Sequence, residues 1–79
     1  MDLLLDFRNN LEQLHEQLAQ TLRFPDWYGK NLDALHDCLN DVSQPVALTV
    51  LFGELQPNLL RVLTDCAAEN PNISLIILE

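Results

Sequence analysis

Pro45-Val46-Ala47-Leu48-Thr49-Val50-Leu51-Phe52 is an uncharged apolar run of strand length, rich in β-branched residues. A half-exposed antiparallel strand would alternate apolar with polar, whereas near-continuous apolarity marks a strand of a parallel sheet. Ile73-Ser74-Leu75-Ile76-Ile77-Leu78 repeats the pattern. A shorter segment, Leu3-Leu4-Leu5-Asp6-Phe7, could open a strand or a helix, and we read it as the first strand.

The intervening sequence has helical period. Leu11, Leu14, Leu18 and Leu22 form one stripe, with Glu12, Gln13, Glu16, Gln17 and Gln20 on the other side. Asn9 or Asn10 can cap this helix, and Pro25 ends the region, because the residue before a proline avoids helical angles. A second helix is predicted from Asn31 as cap, with Leu32, Leu35, Cys38, Leu39 and Val42 on its apolar side. Pro57 suits the first position of a third helix, whose apolar face is Leu59, Leu60, Val62, Leu63, Cys66 and Ala67. Asn70-Pro71-Asn72 breaks it before the last strand. The order strand, helix, helix, strand, helix, strand predicts an α/β fold, parallel strands joined by helical crossovers.

Seventy-nine residues are expected to form a single domain spanning 1–79, and 48% hydrophobic residues suffice to fill its core. Twelve acids against four basic residues leave a net charge of −8. Such a field repels nucleic acid and anionic membranes and attracts basic partners. A protein that itself binds nucleic acid is a natural target, since its phosphate site is already built from Lys and Arg. No apolar run approaches the roughly 20 residues that cross a bilayer. The opening Met1-Asp2-Leu3-Leu4-Leu5-Asp6 has no basic leader and an early acid, which argues against a signal peptide and for a cytoplasmic protein. There, Cys38 and Cys66 are expected as reduced, packed thiols.

The second helix carries Asp33, Asp37 and Asp41 at intervals of four. Like charges at this spacing cost a few tenths of a kcal/mol, so the helix gains nothing from them. At roughly 100° per residue, Asp33, His36, Asp37 and Asn40 cluster nearly opposite the apolar side. Asp33 falls in the first turn, where the helix dipole favours a negative charge, while Asp37 lies too deep for much help. A cationic surface outside the fold is the natural user of this row.

Between Leu14-His15 and Leu39 the chain resembles the barstar family of intracellular ribonuclease inhibitors. The resemblance is carried by Leu14-His15, Leu18, Pro25, Tyr28-Gly29, Asn31-Leu32-Asp33-Ala34-Leu35 and Asp37-Cys38-Leu39. It extends in layout to Pro45 and to Asn72-Ile73-Ser74. It implies a three-stranded parallel sheet packed against helices, with the second helix and the loop before it plugging a ribonuclease active site. Position by position, it implies Asp37 as the central phosphate mimic and Asp33 as its neighbour. Trp27 takes the place of a loop aromatic that faces outward, with Tyr28 turned inward. Gly29 and Asn31 supply a close backbone approach, although a positive-φ turn would by itself explain Gly29. An acid on the last helix completes the implied surface, with Asp65 the best fit and Glu69 the second.

Two departures stand out. The family has a large aromatic where this chain has His36, and another where it has Val42. Aromatic anchors supply much of an interface's energy. Their loss implies a different cognate nuclease or a weaker grip on the familiar one, partly offset by the larger area of Trp27.

No zinc spacing, glycine-rich phosphate loop or nucleophile elbow occurs. His36, Asp37 and Cys38 are consecutive helical residues and cannot face one another, and His15 is expected to be structural or solvated. The expectation is a monomeric, cofactor-free, non-enzymatic inhibitor that binds a basic ribonuclease one to one. The rival expectation is an acidic adaptor or immunity-type module for another basic nuclease or nucleic-acid-binding protein.

Overall fold

The computed structural model describes residues 1–78. It contains β1 (Asp2–Asp6), α1 (Leu11–Leu22), α2 (Leu32–Asn40), β2 (Val46–Leu51), a single 3₁₀ turn (Gly53–Leu55), α3 (Pro57–Glu69) and β3 (Ile73–Leu78). The strands lie in the order β1-β2-β3, all parallel, with Leu3 beside Leu48 and Leu48 beside Leu75. The fold is thus α/β with three helices and a three-stranded parallel sheet, as the apolar runs predicted. The 3₁₀ turn has no counterpart in the sequence reading.

Local chemistry sets each helix boundary. Asn10 caps α1 in a reciprocal box, accepting from the Gln13 backbone N–H at 2.8 Å while the Gln13 side chain accepts from the Asn10 N–H at 3.1 Å. Asn31 caps α2 by accepting from the Ala34 N–H at 2.8 Å. Pro57 occupies the first turn of α3, where its missing N–H costs nothing.

The helices cover one face of the sheet. Leu3, Leu5, Val46, Leu48, Val50 and Ile73 meet Leu14, Leu18, Leu35, Leu39, Leu59 and Leu63 in one apolar cluster. The alternate residues Leu4, Ile76 and Leu78 remain about half exposed on the uncovered face. Leu11, placed by periodicity in the apolar stripe of α1, is exposed instead. It is the first residue of the helix, beyond the rim of the core.

Cys38 and Cys66 are buried free thiols. Burial raises both thiol pKa values, that of Cys66 to about 11, so both are neutral at physiological pH. Buried Asn70 ties the layers together. Its amide donates to the carbonyls of Leu39 at 3.0 Å and Val42 at 2.9 Å, and its side-chain oxygen accepts from the Asn72 N–H at 3.0 Å. One side chain thereby joins the end of α2 to the turn that launches β3.

Candidate functional site: the acidic face of the second helix

The apolar residues Leu35, Cys38 and Leu39 hold α2 against the core, so the opposite side of the same short helix must face water. Asp33 and Asp37 are exposed there, and Asp41 is exposed at the helix end. None of the three takes part in an ion pair among the described residues. Of the four basic residues, Arg8 is committed to Asp6 at 2.7 Å and Lys30 to Glu16 at 2.9 Å, and neither Arg23 nor Arg61 forms an ion pair with the row among the described residues. The row of carboxylates is therefore open to an external partner.

His36 does not stand fully outward with the aspartates. It is half-buried towards α3, with Nε2 3.5 Å from Glu69 Oε2. Asn40 donates to the same Glu69 oxygen at 3.0 Å and lies 3.3 Å from His36 Nδ1. Of the two acids expected on the last helix, Glu69 is thus engaged by α2, whereas Asp65 is exposed and outside any ion pair among the described residues.

The loop before α2 is held from below. Trp27 is 65% exposed, while Tyr28 turns inward, packing edge-on against Phe24 with ring centroids 4.9 Å apart and hydrogen bonding through its hydroxyl to Nδ1 of His15. Lys30 reaches back to Glu16 at 2.9 Å and to Glu12 at 3.8 Å. Glycine freedom does not make this turn. No glycine has a positive φ, and Lys30 instead adopts φ 52°. What favours glycine at 29 is space, since a Cβ there would lie 3.0 Å from the Asn31 amide that caps α2. Asn31 spends its side-chain oxygen on that cap.

Beside Trp27 a cavity of about 390 Å³ opens between the loop and the end of α2, lined by Phe24, Trp27, Cys38, Asp41, Val42 and Val46 among others. Sequence reading missed this cavity, the Tyr28–His15 bond and the His36–Asn40–Glu69 cluster. All three join residues distant in the chain, which no local spacing reveals. Among the described residues no cluster of His, Cys, Asp and Glu could hold a metal, and no helix is long and apolar enough to cross a membrane.

A family model described as "Barstar (barnase inhibitor)" matches residues 2–68. The chain belongs to the barstar family. Barstar-family proteins are inhibitors and not enzymes, and this one is no exception. A relative from Bacillus subtilis (strain 168), named "Putative ribonuclease inhibitor YrdF", is 37% identical over 83 residues. The match covers 94% of this chain and 90% of that protein. The barstar likeness therefore spans the loop, α2 and most of α3.

Proposed function

We infer that this protein inhibits a basic, barnase-type ribonuclease by occluding its active site in a one-to-one complex, acting as a monomeric single domain in the cytoplasm. The observation that carries the reading is the exposed, unpaired pair Asp33 and Asp37 on α2 of a barstar-family chain. A ribonuclease cleft gathers cationic side chains to hold phosphate. A carboxylate accepts paired hydrogen bonds from one guanidinium, as two phosphate oxygens do. Asp37, in mid-helix, serves as the central mimic and Asp33 as its neighbour. Trp27 and the backbone around Gly29 and Asn31 lie against the cleft wall. Asp65 supplies the acid from α3, while Glu69 holds His36 and Asn40 in place. His36, half-buried between the two aspartates, offers less contact area than the aromatic the family carries there.

Titrating a barnase-type ribonuclease with the purified protein tests this reading. Stoichiometric loss of RNA cleavage is expected. Full activity at micromolar inhibitor would exclude that nuclease class as the target. Pull-down on the immobilised protein then separates the adaptor reading, in which the eluate holds a basic partner without ribonuclease activity.

A further inference from the structure

His15 is buried to 2% relative exposure, yet its sole polar contact is the Tyr28 hydroxyl at Nδ1, and its Nε2 finds no partner among the described residues. Buried polar atoms are almost always paired, so an orphaned one calls for a reason. The reason lies in what Tyr28 carries. It is the inward residue of the loop whose next neighbour, Trp27, is the most exposed large apolar side chain of the described residues. His15 on α1 thus grips from beneath a loop that a partner meets from above.

We propose that His15 is the positioning residue of the binding loop: its neutral imidazole anchors Tyr28 and so sets Trp27 outward, and a proton on the ring releases the loop and weakens binding. This deepens the inhibitor reading and rests on it for the binding step alone.

The surroundings make the ring's charge state decisive. The titratable groups around it are Tyr28 and Lys30 on the loop, Glu12 and Glu16 on its own helix, and Cys38 on α2, whose thiol opposes ionisation of Tyr28. Both glutamates already face Lys30, and the Lys30 ammonium itself opposes a positive imidazole. No carboxylate is left to compensate the added charge. Burial, and secondarily Lys30, hold the imidazole below its usual pKa. In either tautomer the imidazolium carries a proton on each nitrogen: Nδ1–H donates to the Tyr28 oxygen, while Nε2–H meets no acceptor among the described residues. The cost of the charge therefore falls on the burial of the ring, and bringing the ring to water relieves that cost by drawing it away from Tyr28.

Trp27 is the chain's one tryptophan, so its fluorescence anisotropy reports the loop without any partner. Between pH 8 and 5 the wild-type protein should show one step of falling anisotropy centred below pH 6.5, with unchanged far-UV circular dichroism. Inhibition of a barnase-type ribonuclease should weaken over the same step. His15→Asn, whose amide reaches the Tyr28 hydroxyl but takes no proton here, should remove the step from both measurements. His36→Asn, altering the other histidine, should retain it. Tyr28→Phe keeps the ring and its packing on Phe24. At pH 8 it should already show the acid-form anisotropy and bind about 10-fold more weakly, the loss of one hydrogen bond. A step that persists in His15→Asn, or its absence from the wild type, overturns the proposal. A wild-type step in Trp27 with no inhibition of any ribonuclease supports the positioning role and overturns the inhibitor reading.

Discussion

Asp37 and Glu12 are both exposed carboxylates, and the structure gives them different company. Glu12 lies 3.8 Å from Lys30, whereas Asp37 lies on the open face of α2. Asp37→Ala should weaken inhibition by about 2–5 kcal/mol, mostly because cations of the cleft are left unpaired, a range set partly by complexes of this family. Glu12→Ala should change it by less than about 0.5 kcal/mol, as exposed pairs usually do. Fold stability should barely respond to either, with a small gain expected for Asp37→Ala from relieved repulsion with Asp33 and Asp41. Inhibition constants and urea midpoints for both variants make the comparison. Equal losses of affinity would show that the α2 face is not the contact.

Among elements, α2 is the one that must be both firmly seated and exposed. It spans nine residues, too few to be stable alone, so its position depends on tertiary fastenings. Asn31 at its start and Asn70 under its end serve it, beside the Glu69 link to His36 and Asn40. Asn70→Ala would remove three hydrogen bonds, those to the Leu39 and Val42 carbonyls and that from the Asn72 N–H, leaving the Leu39 carbonyl to the Val42 N–H at 3.2 Å and the Val42 carbonyl to the Asn72 amide at 3.3 Å. We expect a loss of about 2–3 kcal/mol in unfolding free energy, read by urea denaturation. Substituting exposed Asn58 by Ala at the start of α3 should cost under about 0.5 kcal/mol and serves as the control. Asn31 was legible as a cap because asparagine directly precedes a helical apolar pattern. Asn70 looked like a helix breaker only, because its partners lie 28 and 31 residues away.

For the whole molecule, charge and pH set the conditions of use. A net charge of −8 should speed encounter with a cationic nuclease, so the association rate should fall steeply with added salt while dissociation changes little. Stopped-flow association at increasing sodium chloride checks this, and a flat profile would remove electrostatic steering. Stability should follow the His15 proton. Its pKa is lowered on folding, so the unfolded chain binds the proton more readily near the ordinary value of about 6.5. The contribution is fully present above pH 6.5 and is lost as pH falls through the lower folded value. Asp6, held below its usual range by hydrogen bonds from Arg8, acts only at more acidic pH, below about 3.8. Urea midpoints should therefore drop between pH 7 and 5 in the wild type but not in His15→Asn.

The sequence alone determined the element order, the parallel strands, the Asn31 cap and the acid row, and it narrowed the cap of α1 to Asn9 or Asn10. Each is encoded by neighbours a few residues apart, through strand-like apolar runs, 3.6-residue periodicity and capping chemistry. It could not determine which face of the sheet stays open, that Leu11 lies outside the core, or that Lys30 rather than Gly29 takes the positive φ. Nor could it reveal that His15 holds the loop or that Glu69 is tied to His36. These depend on how α1, α2 and α3 pack, and packing brings together side chains that share no local pattern. The acids were written in the chain, and their freedom to meet a partner was decided by where the fold sent its few cations.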